Sequence, residues 1–226
     1  MSIIAEIRNL TKTYKLDSFK VLGLKNISMS LEHGEFSALV GPSGCGKSTL
    51  LNQLGCLDVA DEGDVIIDGQ HISKMTDDQL SDLRSSSIGF IFQSFNLIPV
   101  LEAIENVMYP LLLSHVKNPR KIAQETLELV ELGQFSRRKP GQLSGGQRQR
   151  LAIARAIVCR PKLILADEPT ANLDSKTSIT IINLMKKLNK ELNTTFLISS
   201  HHELMIKSAD KIYHMKDGDF DTEKML

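Results

Sequence analysis

The stretch Gly41-Pro-Ser-Gly-Cys-Gly46-Lys47-Ser48 constrains this 226-residue chain more than any other. It follows a short apolar run at positions 36–40 and precedes Leu50, Leu51 and Leu54, which fall at helical spacing. A buried strand, a glycine-rich turn and a helix in that order match the phosphate-binding loop G-x-x-x-x-G-K-[ST]. Glycines let the backbone turn tightly and aim successive N–H groups at one anion. The helix that begins near Lys47 points its positive end at the same place. Lys47 is placed to meet β- and γ-phosphates, and the Ser48 hydroxyl to hold Mg2+. The expected ATP-contacting set is therefore Gly41, Pro42, Ser43, Gly44, Cys45, Gly46, Lys47, Ser48 and Thr49. Cys45, at a helix start beside a cation, is expected to react with thiol reagents, with ATP protecting it. On its own the loop leaves kinases, GTPases and motors open.

The rest of the pattern gives the fold class. Residues 27–31 alternate apolar and polar and read as a half-buried strand; 65–67 form a strand entering a tight turn at Asp68-Gly69. Further strands are expected at 88–92, 163–166, 195–199 and 211–215, with a long helix at 175–192. Strands alternating with helices imply parallel pairing with crossover helices. Between about 102 and 160 the pattern is mostly helical, with Ile122, Leu129 and Leu132 assigned to one face of a helix starting near Pro119. The expectation is a single α/β domain over 1–226. A mostly parallel nucleotide-binding core of the P-loop NTPase kind (about 1–93 and 161–226), with an N-terminal antiparallel β part, carries an inserted helical subdomain (about 94–160).

Leu143-Ser144-Gly145-Gly146-Gln147 narrows the class. Ser144 followed by Gln147 is a capping-box arrangement, so a helix should start here, with Leu151, Ala154, Ile157 and Val158 on one side. Two glycines at that start leave N–H groups open to a second anion. The run Leu163-Ile-Leu-Ala-Asp167-Glu168 is an apolar strand ending in two carboxylates. Such a strand would deliver Asp167 to the Mg2+ site, with Glu168 one step further to polarise a water.

With these motifs in this order the chain resembles the ABC ATPase family, from Tyr14 to Gly218. The resemblance implies roles for further residues. Gln93 matches the glutamine that contacts Mg2+ and couples to the helical subdomain. Leu173-Asp174 match the D-loop, and Tyr14 the aromatic that stacks on adenine. His201 matches the switch histidine that senses the γ-phosphate. The family usually has His-Asp there, whereas this chain has His201-His202, so His202 is carried as a second candidate. Glu168, His201, Lys47 and Gln93 are thus the catalytic set; Ser48, Gln93 and Asp167 the metal set; and Ser144, Gly145, Gly146, Gln147 and Asp174 contact ATP from an opposite subunit. Leu54-Gly-Cys-Leu-Asp58, the run from Ile88 to Pro99 and Glu105-Asn-Val107 are similar to the macrolide-export and lipoprotein-release group and its cell-division relative, although Glu102 stands where that group often has Thr.

In the family it resembles, ATP sits between the phosphate loop of one subunit and the signature of the other, so one loop and one signature imply an ATP-dependent homodimer. The resemblance further implies a membrane permease as partner and a periplasmic adaptor reached through it. Energising an exporter or a lipoprotein-release machine is the first function implied, and a cell-division-type signalling ATPase that moves no cargo is the alternative. Lys+Arg and Asp+Glu both number 27, which argues against a nucleic-acid partner. No stretch reaches the roughly 18 apolar residues of a membrane span, and the first ten residues do not read as a signal peptide. A cytoplasmic location, peripheral on the membrane through the permease, is expected. Cys45, Cys56 and Cys159 lack metal-ligand spacing and are expected as free thiols.

Overall fold

Two sheets of different kinds meet in the structure, a computed structural model that describes residues 2–16 and 19–221. The first is antiparallel. β1 (Ile3–Leu16) pairs with β2 (Phe19–Glu32) on one side and with β4 (Glu62–Ile67) on the other, and β4 turns into β5 (Gln70–His71). That turn puts Asp68 at φ 51° and Gly69 at φ 76°, the pair of positive angles a two-residue hairpin needs. The strand read from residues 27–31 is the second half of β2, where Ile27, Met29 and Leu31 are buried. This sheet is the expected N-terminal antiparallel part, although no strand was expected at the residues of β1 itself, where register shifts break the alternation.

The second sheet is mostly parallel. Its order is β10 (Asp219–Phe220), β9 (Lys211–Lys216), β3 (Phe36–Val40), β8 (Thr195–Ser199), β7 (Leu163–Asp167) and β6 (Ile88–Ile91), and only β10 runs antiparallel. Both faces of its strands β3, β6, β7 and β8 are covered, so these are mainly apolar runs, whereas β9 alternates. Leu163 and Leu165 of β7 face a core shared with the antiparallel sheet and α1 (Lys47–Leu54). Ile164 and Ala166 face the opposite core, which holds α3 (Ala103–Leu113), α4 (Pro119–Leu129), α5 (Gly145–Ile157) and α6 (Ser175–Leu192). The helical segment between β6 and β7 thus shares one continuous apolar core with the sheet.

Two details differ from the sequence reading. Leu129 is 42% exposed, and α4 buries Ala123, Thr126, Leu127 and then Val130 instead. The packed stripe lies one step round the helix from the Ile122–Leu129 edge, and Leu132 is buried beyond the helix end. The second detail is α2 (Asp77–Ser87), which was not expected. It opens with its own capping box, Thr76 N–H donating to Gln79 Oε1 at 2.9 Å and Gln79 N–H to Thr76 Oγ1 at 3.4 Å. A short α7 (Glu203–Ser208) links β8 to β9.

The order of the parallel strands decides where chemistry gathers. Ligands in such sheets sit outside the carboxyl ends of the strands. β3 delivers the glycine loop, β6 Gln93, β7 the two carboxylates and β8 the histidines, all at the same edge.

Candidate nucleotide site

The loop after β3 is bent by backbone that only glycine adopts freely. Gly44 has φ 79° and Gly46 φ 107°. A Cβ on Gly46 would also sit 2.4 Å from the Gly23 carbonyl oxygen, and one on Gly41 would sit 2.2 Å from that of Met215. Gly46 is the N-cap of α1 and gives no side-chain cap, so the first N–H groups of that helix face the cleft uncovered. Lys47 is 7% exposed, and its ammonium donates to the carbonyls of Gly41 (2.7 Å) and Pro42 (2.9 Å).

Ser43, Gly44, Gly46, Lys47, Ser48 and Thr49 line this cleft. Gly41 and Pro42 act one layer back, through carbonyls that hold Lys47. Cys45 is the exception. It is 4% exposed and belongs to the core between the two sheets, so its expected reaction with thiol reagents is not available from the surface. The residue before Gly46 turns inward because the Gly44–Gly46 bend turns the loop outward on either side of it.

Across the cleft stand Asp167, Glu168 and Gln93. The Ser48 hydroxyl donates to Asp167 Oδ2 at 2.7 Å, and Ser199 Oγ donates to Asp167 Oδ1 at 2.6 Å. Glu168 has φ 44°, a left-handed backbone that costs a non-glycine residue about 1 kcal/mol or more. It is held there because its N–H donates to Ser199 Oγ (2.8 Å) and to the Ser199 carbonyl (3.2 Å). The bend aims the Glu168 carboxylate back over the sheet edge, where Oε1 meets His201 Nε2 at 3.1 Å. His201 Nε2 is also 3.5 Å from Lys47 Nζ. One histidine therefore touches both the loop and the second carboxylate.

His202 does something else. Its Nδ1 accepts the Leu204 N–H at 3.2 Å, which makes it the N-cap of α7. An aspartate is a common N-cap, so His202 fills the structural place of the acid this chain lacks. Gln93 is fixed through its backbone, since Asn172 Nδ2 donates to its carbonyl at 2.9 Å. The two residues beyond Ser94 are both left-handed, Phe95 at φ 63° and Asn96 at φ 49°, and the half-buried Arg155 guanidinium donates to both of their carbonyls. Tyr14 lines the cleft on its other flank. Its hydroxyl donates to Asp58 Oδ2 at 2.8 Å. Burial works against the Asp58 charge, but hydrogen bonds from Lys12 and Tyr14 outweigh it and hold the carboxyl below its usual range.

The signature residues lie elsewhere. Ser144 N–H donates to Gln147 Oε1 (2.9 Å) and Gln147 N–H to Ser144 Oγ (3.3 Å), closing the capping box that opens α5. The start of α5 packs on the start of α6. A Cβ on Gly145 would sit 3.3 Å from Leu173 Cδ2, and one on Gly146 2.6 Å from Thr177 Cγ2. Asp174 caps α6 through Thr177. None of Ser144, Gly145, Gly146, Gln147 or Asp174 lines the cleft around Lys47.

Ser199, Asn172 and Asp58 were missed by sequence reasoning. Ser199 had a readable signal: two serines, Ser199 and Ser200, close an apolar strand and are 0% and 1% exposed. A buried hydroxyl at a strand end must find a partner. Asn172 and Asp58 carry no comparable signal.

Comparison with known proteins agrees with this geometry. The family profile described as ABC transporter matches residues 24–171. An uncharacterized ABC transporter ATP-binding protein of Methanocaldococcus jannaschii, MJ0796, is 45% identical over 98% of this chain and 97% of its own length. The macrolide export ATP-binding/permease protein MacB of Syntrophobacter fumaroxidans is 42% identical over 97% of this chain, which spans only 31% of that longer protein. A solved structure of the MJ0796 cassette, a dimeric post-hydrolysis state bound to ADP and Pi, superposes with a TM-score of 0.89 at 45% identity, covering 96% of each chain. Motif order, sheet topology and these relatives converge: the chain belongs to the ABC transporter family and is an ATP-binding cassette of that family, an ATPase.

Proposed function

We propose that two copies of this chain close around ATP and Mg2+, each copy giving its phosphate loop to one nucleotide and its signature to the other, and that hydrolysis drives a membrane permease. The observation that carries this reading is the separation within one chain. The cleft gathers Lys47, Ser48, Asp167, Glu168 and Gln93, with His201 touching Glu168 and Lys47 at its edge, while Ser144–Gln147 present a capped helix start beside Asp174 on another surface. Two-fold pairing would bring the second surface over the first. The dimeric MJ0796 structure with ADP and Pi supports the same arrangement.

The donor set suits Mg2+. Ser48 Oγ and Asp167 Oδ2 are hard oxygen donors already within 2.7 Å of each other, with the Gln93 amide lining the same cleft, and Mg2+ is commonly held by one or two protein oxygens plus phosphates and water. Bound Mg2+ would neutralise charge developing on the phosphate oxygens. Within the chain, Lys47 supplies a fixed cation and Glu168 a carboxylate for orienting and deprotonating the attacking water. His201 holds Glu168 and stands between it and the loop. Ser199 fixes both acids at once, one by its side chain and one by its backbone.

A groove beside α3, lined by Leu57, Phe90, Phe92, Ile98, Tyr109 and Leu113, offers an apolar seat for the permease, with Leu57, Tyr109 and Leu113 each at least 45% exposed. Among the described residues no helix is long and apolar enough to cross a membrane, so the membrane step falls to that partner. The MacB relatives, named for macrolide export and a permease, favour export as its purpose, and binding to such a permease would hold the chain at the inner face of the membrane. The test is the oligomeric state of Glu168→Gln. Light scattering with ATP should show a dimer that dissociates when ATP is removed. A monomer under saturating ATP, together with unimpaired turnover, would remove Glu168 from its role and the two-copy site with it.

A further inference from the structure

Stacking on adenine requires a π-face, which phenylalanine would supply as well as tyrosine. Tyr14 nevertheless spends its hydroxyl on a carboxylate, donating to Asp58 Oδ2 at 2.8 Å. The other Asp58 oxygen is also committed. It accepts Lys12 Nζ at 2.7 Å and the Val59 N–H at 2.8 Å, so the carboxylate is fixed in orientation from both sides. Lys12 adds a second tether, donating to the Val59 carbonyl at 2.6 Å, and its ammonium lies 5.3 Å from the centre of the Tyr14 ring. The neighbouring bonds run the same way. Thr13 N–H donates to Asp61 Oδ2 (2.7 Å), and Asp61 N–H donates to the Thr11 carbonyl (3.0 Å). Residues 58–61 are thus laced along residues 11–14. That segment follows directly from α1, whose first turn is the phosphate loop.

Gly23 completes the arrangement. A Cβ there would lie 3.1 Å from Tyr14 Cε2 and 3.3 Å from both Thr49 Cγ2 and Thr49 Oγ1. The ring and the Thr49 side chain of α1 therefore both pack where Gly23 has no side chain.

We infer that Asp58 is a positioning residue for the nucleotide base: through the Tyr14 hydroxyl, with Lys12 as its counter-ion, it sets the ring at a fixed place relative to the phosphate loop. This rests on reading Tyr14 as the residue that stacks on adenine. The gain is preorganisation. A ring already held in place loses less rotational freedom when the base arrives, and that gain appears in affinity rather than in the chemical step.

The test uses the full chain and four variants, Asp58→Ala, Tyr14→Phe, the double substitution and Tyr14→Ala. Each is assayed for KM and kcat with ATP and for inhibition by inorganic tripolyphosphate, which has no base. Asp58→Ala should raise KM for ATP about five-fold, the scale of one charge-assisted hydrogen bond, with kcat within about two-fold of the unsubstituted chain. Tyr14→Phe should raise KM at least as much, since the hydroxyl also meets Thr49, and adding Asp58→Ala to it should raise KM no further, because the Asp58 effect runs through that hydroxyl. The tripolyphosphate inhibition constant should not move. A parallel loss of tripolyphosphate binding would mean that Asp58 merely holds the fold and would overturn the inference. Additive effects of the two substitutions, or an unchanged KM in Asp58→Ala, would overturn it as well. Tyr14→Ala separates the two levels. If it leaves KM unchanged, the stacking role itself fails. If it raises KM while Tyr14→Phe and Asp58→Ala do not, only the positioning role of Asp58 fails.

Discussion

Two helices of this chain begin on glycines, and they begin differently. α1 starts from Gly46, left-handed at φ 107°, with no side chain over its first N–H groups. α5 starts from Ser144, extended at φ −65° and ψ 167°, with Ser144 and Gln147 bonded to each other's N–H groups. The first start is shaped by backbone that glycine alone adopts easily, and it leaves its donors to an incoming anion. The second satisfies two of its donors itself and keeps its shape without a ligand. An uncapped start surrounded by Lys47, Asp167 and Glu168 is a binding site within one chain. A capped start set away from that cleft is a surface ready to complete someone else's. In the two-copy site proposed above, the two halves would thus be built on opposite principles, one preformed for the anion and one preformed for the partner.

The largest expected effect tests the completed site. Glu168→Gln keeps the shape of the side chain and removes its ability to take a proton. Turnover should fall by about 100-fold or more, as loss of a general base commonly produces, while ATP affinity stays within a few-fold. Steady-state phosphate release and equilibrium binding measure the two separately. Next comes the uncapped start. Lys47→Ala removes the one full charge of the loop and the ammonium that both the Gly41 and Pro42 carbonyls accept from. ATP affinity should fall about ten- to one hundred-fold already in the monomer, the scale of a charge-assisted bond to phosphate. Fluorescence titration at protein concentrations below dimerisation reads this. Retained monomer affinity would break the comparison at its first half.

The backbone of the same start offers a third test. Gly46→Ala puts a methyl group 2.4 Å from the Gly23 carbonyl oxygen at a left-handed φ, so something must shift. A cost of about 1–3 kcal/mol is expected, from the left-handed penalty and the overpacking together. Gly145→Ala is its counterpart. Gly145 is helical and its new methyl would lie 3.3 Å from Leu173 Cδ2, the end of a flexible side chain. Thermal unfolding should show a clear fall for the first and little change for the second. Equal falls would mean that the glycines of α5 are also there for shape.

Legibility in the sequence followed the same divide. The loop at 41–49, the capping box at 144–147 and the helix at 175–192 stand where the pattern placed them, because glycine spacing and capping pairs report local conformation, whereas the Thr76–Gln79 box that opens α2 was passed over. The apolar parallel strands were readable for a similar reason, since a strand covered on both faces is a short apolar run. β1 was not, because its register shifts at Leu10 and Lys12 break the alternation that would announce it. The supporting contacts of the site were not readable either. Ser199 reaches Asp167 from 32 residues away and Tyr14 reaches Asp58 across 44, and such pairings exist only once the sheets have assembled. Cys45 shows the limit most plainly. Its position in the loop suggested a reactive thiol facing the phosphate, but tertiary packing turned it into the core.

The smallest effect is the most discriminating. Ser144→Ala removes the hydroxyl that accepts the Gln147 N–H and should cost about 1 kcal/mol of stability, the usual loss for an N-cap serine. Because Ser144 does not line the cleft of its own chain, the affinity of the monomer for ATP should not change. The ATP-dependent dimer, in contrast, should weaken, since the hydroxyl and the helix start it shapes would face the nucleotide held by the other copy. Placing the substitution on a Glu168→Gln background and following dimer formation by light scattering isolates that second effect from turnover. Parallel losses of monomer affinity and dimerisation would show that the capped start contributes to the nucleotide site within one chain. The distinction between a start built for the anion and a start built for the partner would then be lost. A dimer constant that shifts while monomer affinity holds would place the two helix starts on opposite sides of one shared nucleotide.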